Sequence, residues 1–213
     1  MIDALTLDFD KLDRTPPSDD PFRHVVVENF VPAASLAKVI EGLPPMSSGG
    51  SFPPSALRLG DGARALVGAL EGDRFRQCVA RKFDLDLASA PTMLTIRGRT
   101  RERDGQIHCD STAKRVTILL YLNPETEAWT RREGCLRLLR NGTDLDNYAV
   151  EVPPVNGTLL IFPNGPTTWH GHKTYVGRRY AIQLNYMADG AKARAEIRRH
   201  KVSAVLKRFS SAA

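Results

Sequence analysis

Asn156–Met187, NGTLLIFPNGPTTWHGHKTYVGRRYAIQLNYM, is the stretch whose reading decides the fold. It holds three β-rich runs, Thr158–Phe162, Trp169–Thr174 and Tyr180–Met187, with Asn164-Gly165 as a turn signal between the first two. Runs this short, with turn residues and no helical pattern between them, are strands of an antiparallel sheet. The same texture extends upstream through Thr92–Arg97, Gln106–Asp110, Val116–Leu122, Cys135–Leu139 and Ala149–Val152. Turn signals recur at Asp104-Gly105, Asn123-Pro124, Asn141-Gly142 and Asn156-Gly157. Eight short strands predict a mainly β core, a sandwich or jelly roll over residues 91–188, and argue against a βαβ fold.

Helices are expected on both flanks. Residues 1–90 read as a polar, acidic, loosely attached leader (1–20), a β-branched strand at His24–Phe30, a short helix at Pro32–Glu41 and a helical stretch from Ala63 to Phe83 that Gly72 breaks in two. Between the helices lies residues 43–55, LPPMSSGGSFPPS, a Pro-, Gly- and Ser-dense loop that is either a mobile lid or a slack connection. Residues 189–213 read as a basic helix packed on the core, with Ile197, Val202, Val205, Leu206 and Phe209 as its apolar stripe.

Composition narrows the function. At 213 residues, 42% hydrophobic and 25% charged, the chain suits one structural domain with a sizeable core. No run approaches the roughly 18 apolar residues of a membrane span, and MIDALTLDFD is no signal peptide, so a cytoplasmic protein with no membrane partner is expected. Cys78, Cys109 and Cys135 are odd in number and lack a CxxC spacing, which excludes a disulfide framework and a four-cysteine zinc site. The net charge of +6 is uneven: residues 1–30 carry three basic and seven acidic side chains, and residues 189–213 carry seven basic and two acidic. Such a surplus allows anionic partners and equally serves solubility.

Only five histidines are available to any imidazole-based site. In QIHCD, His108 and Asp110 are two apart, so on a strand they leave from one face while Cys109 points away. Alone, the pair reads as a His–Asp hydrogen bond at a strand end. Sixty residues after Asp110 comes WHGHK, with His170 and His172, and Arg179 follows nine residues after His170. A second histidine from a distant strand completes a two-His, one-carboxylate face on a metal with open positions opposite, as non-haem Fe(II) oxygenases use. The Arg179 fork can hold a carboxylate by two parallel charge-assisted bonds.

The order HxD, TILLYLN (117–123), GCLRL (134–138), NGTLLIF (156–162), WHGH and GRRYAIQLNY resembles the 2-oxoglutarate and Fe(II)-dependent dioxygenases, in particular their prolyl-hydroxylase-like branch, over residues 91–188. The opening HVVVENFVP is similar too. The resemblance implies a double-stranded β-helix (jelly roll) with His108, Asp110 and His170 as iron ligands and catalytic residues. It also implies Arg179 as partner of the distal carboxylate of 2-oxoglutarate, with Tyr121 and Gln183 as further contacts. Cofactors would be Fe(II), 2-oxoglutarate and O₂, with ascorbate in support. The implied reaction couples oxidative decarboxylation to succinate and CO₂ with hydroxylation of an unactivated C–H bond. The spacing to Arg179 favours His170 over His172 as ligand, leaving His172 as a structural or substrate-side neighbour, and His24 and His200 as surface residues.

Two rivals are disfavoured by particular residues. A cupin needs a glutamate shortly after its HxH, and HGHKTYVG has none; an oxidative nucleic-acid demethylase carries a second arginine past the first, where this chain has YAIQLNYMA. A metal- and 2-oxoglutarate-binding sensor without turnover stays open. Nucleic acid is therefore not the expected partner. Arg97, Arg99, Arg101 and Arg103 alternate just before His108, so an extended strand would put four guanidiniums on one side. That makes a cationic rim for an anionic small-molecule, carrier-bound or polymer-bound substrate; the plainer reading is a solvated loop.

Overall fold

The computed structural model describes residues 5–124, 129, 132–188, 190 and 193–199. Among them are the α-helices α1 (Phe9–Arg14), α2 (Ala33–Glu41), α3 (Asp61–Glu71) and α4 (Asp73–Phe83), a helical segment at 193–199, and eight strands. The strands are β1 (Val25–Val27), β2 (Thr92–Thr100), β3 (Lys114–Tyr121), β4 (Leu136–Leu139), β5 (Tyr148–Val152), β6 (Leu159–Pro163), β7 (His170–Gly171) and β8 (Gly177–Met187). They form a five-stranded sheet ordered β1-β6-β3-β8-β2 and a three-stranded sheet ordered β5-β4-β7. All neighbouring strands run antiparallel. This is the mainly β double-stranded β-helix architecture anticipated above.

Period-two alternation sorts the large sheet into two faces. Leu94 and Ile96, Ile118 and Leu120, Leu159 and Ile161, and Ile182 and Leu184 turn outward. There they meet Leu36, Val39, Leu66, Leu70, Phe75 and Val79 of α2–α4 in one continuous core. Fully burying a side chain of this size contributes about 1.5–3 kcal/mol against the entropy of ordering it. The inner face presents Tyr121, Leu160, Phe162 and Ala181, which pack against Leu136, Leu138 and Val152 of the small sheet.

The helix break at Gly72 is where the spacing placed it: Gly72 is extended, at φ −75° and ψ 161°, and both ends α3 and begins α4. Pro32 precedes α2 as its N-cap. The leader, in contrast, is not loose. Asp8 caps α1 by accepting from the Lys11 amide at 2.8 Å, and Phe9 and Leu12 are buried in the helix-side core beside Phe30 and Phe75. The Asp8 amide also donates to Phe30 O at 2.9 Å. The acidic composition concealed two apolar anchors one helical turn apart. His24 is likewise buried and not on the surface, with Nδ1 2.8 Å from Phe22 O.

Residues 43–55 are docked. Phe52 exchanges two backbone hydrogen bonds with Ile96 on the free edge of β2, at 3.0 and 2.7 Å, and Pro44 O accepts from the Tyr180 hydroxyl at 3.0 Å. Gly98 allows this close approach, because a Cβ there would lie 2.5 Å from Met46. The strand expected at Gln106–Asp110 reduces to a single bridge between His108 and His170, and that expected at Trp169–Thr174 to the two residues of β7. Of the C-terminal helix, residues 193–199 are helical, with Ala193 and Ile197 against Met93, Ala113 and Met187; Val202, Val205, Leu206, Phe209 and His200 lie outside the described residues. No helix among the described residues is long and apolar enough to cross a membrane.

Candidate metal centre and acid-binding pocket

β7 is short because its neighbours are specific. His170 pairs with Leu138 of β4 on one side and with His108 on the other, where the two residues exchange backbone hydrogen bonds of 3.0 Å each. Directly opposed residues send their side chains to one face, and the imidazole centroids lie 4.4 Å apart. Asp110, two residues from His108, brings its carboxylate to the same point. One ligand atom from each of His108, Asp110 and His170 lies within 4.8 Å of the others.

The hydrogen bonds around these three side chains engage Nδ1 of each imidazole, leaving Nε2 for a metal, and hold both Asp110 oxygens in place. His108 Nδ1 lies 2.8 Å from Gln106 O, and His170 Nδ1 lies 2.9 Å from Thr168 O. A carbonyl only accepts, so each Nδ1 carries the proton and each Nε2 presents its lone pair, the tautomer a metal requires. Burial, with His108 alongside, pushes His170 down to about 4, so its ring is neutral at neutral pH. Asp110 accepts from Lys114 Nζ and Thr117 Oγ1, each at 2.6 Å. Burial alone would raise its carboxyl, but Lys114, His170 and Thr117 outweigh that and hold it below the usual carboxylate range. The result is an ionised acid, the neutral His170 ring and the His108 imidazole at one point, a donor set that fits a divalent iron.

The second half of the site lies on the same inner face. Arg179, Ala181, Gln183 and Asn185 occupy one face of β8, and Tyr121 of β3 stands directly opposite Ala181. Arg179 Nε donates to Gly134 O at 2.9 Å and its Cζ lies 5.1 Å from the centre of the Tyr121 ring. Both residues are buried, yet among the described residues Arg179 Nη2 and the Tyr121 hydroxyl have no hydrogen-bond partner. A buried guanidinium nitrogen and phenol left unsatisfied would cost about 1–3 kcal/mol apiece. One carboxylate, accepting from both, removes that cost, so this end fits the distal carboxylate of 2-oxoglutarate. Burial pushes the Tyr121 phenol up against the pull of Arg179, so it stays a donor.

The remaining sequence-derived residues separate. Gln183 shares the inner face, but its amide donates to Asn185 at 3.4 Å; Asn185 also accepts from Thr117, toward the Asp110 side. His172 is buried and is not among the three clustered ligands. Burial, with Arg179 next, pushes it down to about 4. Its ring sits over Gly105, at φ +95°, where a Cβ would come within 2.5 Å of it; the Asp104-Gly105 turn is therefore specific to this packing.

The four-arginine rim does not form. β2 and β8 shift register between Arg97, opposite Ala181, and Arg99, opposite Arg178. This bulge leaves Arg97 on the inner face and turns Arg99 out to solvent. Arg101 is pinned by Asp104, with Nη2 3.0 Å from Oδ1, and Arg103 is exposed. Two contributors escaped sequence reading. They are Lys114 and Thr117, which hold the Asp110 carboxylate; Thr117 lies on Tyr121's face of β3, four residues away.

The chain is similar to known proteins in part of its sequence and in its fold. Residues 98–187 match the family model described as the 2OG-Fe(II) oxygenase superfamily. This segment is similar to the domains of that superfamily. It carries the His-Asp-His triad, and the family's cofactors are Fe(II), 2-oxoglutarate and O₂. The fold is similar to that of a Pseudomonas putida prolyl-4-hydroxylase, at TM-score 0.58 and 16% identity, covering 90% of this chain and 99% of that one. It also resembles an oxidoreductase of the 2OG-Fe(II) oxygenase family from Burkholderia pseudomallei (TM-score 0.52, 13% identity, 80% and 87% covered). A third likeness is the viral collagen prolyl hydroxylase of Paramecium Bursaria Chlorella virus-1 solved with 2OG (TM-score 0.51, 14% identity, 81% and 99% covered). No curated protein matches the chain in sequence.

Proposed function

We propose that this oxygenase hydroxylates an unactivated C–H bond of an anionic substrate, free or carried on a larger molecule, with succinate and CO₂ as co-products. Iron and 2-oxoglutarate, when bound, supply the activation of O₂. The protein's part is to hold and orient. His108 Nε2, His170 Nε2 and an Asp110 oxygen would hold the metal. Thr117 and Lys114 fix the Asp110 carboxylate, and the two backbone carbonyls fix the imidazole tautomers. Arg179 and Tyr121 would anchor the distal carboxylate of 2-oxoglutarate. Leu138, Leu160 and Phe162 line the inner face with apolar surface that excludes water from the pocket.

One observation carries this reading: a three-ligand cluster shares the inner face with a buried guanidinium and phenol of which Arg179 Nη2 and the Tyr121 hydroxyl have no partner among the described residues. The test is anaerobic addition of Fe(II) and 2-oxoglutarate, followed by optical absorption. A weak visible charge-transfer band should appear in wild type and vanish in His108→Ala. Its absence from wild type, or its survival in the variant, would sink the site assignment. Succinate formed under air without added substrate then separates an enzyme from a sensor that binds without turnover.

A further inference from the structure

Arg97 is a charge that the proposed reaction does not use. It lies in the same cross-strand row as Ala181 and Tyr121, because Arg97 is opposite Ala181 and Ala181 is opposite Tyr121. Its guanidinium therefore enters the inner face, with the small Ala181 side chain between it and the phenol. Among the described residues its one hydrogen bond runs from Nε to Ser51 Oγ at 2.8 Å, and no acid comes within ion-pair distance. Ser51 belongs to the loop held on the β2 edge by the Phe52–Ile96 bridge. The loop thus fixes the orientation of the fork and leaves both terminal nitrogens unengaged. Electrostatically Arg97 faces Asp104, Arg179, Arg101 and Asp110.

The charges of the loaded site do not balance without a further anion. Lys114 offsets Asp110 and Asp104 offsets Arg101. Iron(II) and 2-oxoglutarate carry equal and opposite formal charge. Arg179 and Arg97 remain, two guanidiniums on one enclosed face. Arg179, with Tyr121, is deeply buried, whereas Arg97 is half-buried and stands on the edge strand. The co-substrate takes the deep end; the shallow end is left for the other reactant. An uncompensated charge in such a place is destabilising unless a ligand pairs it.

Resting on the functional reading above, we infer that Arg97 is the specificity-determining contact for a carboxylate or phosphate group on a small-molecule substrate, oriented by Ser51.

The test uses the full chain loaded with Zn(II) and 2-oxoglutarate, at constant ionic strength, titrated calorimetrically with inorganic phosphate and with malonate. Wild type should bind at least one of these at millimolar concentration. Arg97→Gln should weaken that binding at least about tenfold and Arg97→Lys should keep part of it, with 2-oxoglutarate affinity within about twofold of wild type in both. The unliganded Arg97→Gln variant should melt no lower than wild type, since a half-buried charge without an ion-pair partner has been removed. Three results would overturn the inference: neither anion binds wild type, Arg97→Gln leaves anion binding unchanged, or Arg97→Gln loses 2-oxoglutarate as Arg179→Gln does. A wild type that binds no 2-oxoglutarate overturns the functional reading as well, and is distinguishable by that first titration.

Discussion

The two faces of the five-stranded sheet are made by the same strands and serve opposite ends. On β8, Tyr180, Ile182 and Leu184 meet the helices in a continuous apolar core, while Arg179, Gln183 and Asn185, one residue out of phase, line the pocket. The outer face is closed by α1–α4 and is almost wholly apolar; its one buried polar atom without a partner among the described residues is the Tyr186 hydroxyl, whose ring lies 5.0 Å from the Arg76 guanidinium. Among the described residues, the inner face keeps Arg179 Nη2 and the Tyr121 hydroxyl without partners, and Arg97 with no acid within ion-pair distance. The outer face therefore contributes stability that the inner face gives up, and a one-residue register slip would exchange the two roles.

Substitutions on each face break or sharpen that contrast. The largest effect belongs to the metal ligands: His170→Ala and Asp110→Ala should reduce succinate formation to background, with Fe(II) affinity lost in equilibrium dialysis. Retained iron binding in both would refute the shared centre. Next is the outer face, where Ile182→Ala should cost about 2–5 kcal/mol in denaturant unfolding, yet leave activity per folded molecule near wild type. A smaller effect is expected from Arg179→Gln. Its 2-oxoglutarate KM should rise about tenfold to a hundredfold, and its unfolding midpoint should hold or increase. A stability loss as large as that of Ile182→Ala would mean that the inner face is structural after all. The least is Tyr121→Phe, which removes one donor and should raise the same KM only a few-fold, on the order of 0.5–1.5 kcal/mol, with no loss of thermal stability.

Leu12 offers a parallel test for the N-terminal helix, which sequence reading had as loose. Leu12→Ala should destabilise by about 2–5 kcal/mol, measured as a lowered urea midpoint. An unchanged midpoint would return residues 5–15 to the status of a leader.

Much of this was readable beforehand because it is local. Strand alternation, the turn dipeptides and the helix break at Gly72 depend on residues a few positions apart. The order HxD, WHGH and GRRYAIQ was enough to single out His108, Asp110, His170 and Arg179. Other features depend on partners distant in the chain. Nothing near Gln106–Asp110 says that it pairs for only one residue, since the partner that limits it is His170. Nothing in RGRTRER reveals the register shift at Gly98, because a bulge is a misfit between two strands, and the second is β8. The docking of residues 43–55 depends in the same way on the edge of β2 and the close approach of Met46 to Gly98.

By itself, then, the amino-acid sequence determined which residue types were present in which order: a β core with flanking helices, a candidate iron triad and an arginine for an acid. Tertiary structure alone decided how those residues were used. Backbone carbonyls chose the imidazole nitrogens that face the metal, Lys114 and Thr117 settled the state of Asp110, and the bulge left one arginine of four inside. The physical reason is that strand propensity and side-chain alternation are set by neighbours in the chain. Burial, register and hydrogen-bond saturation are set by neighbours in space.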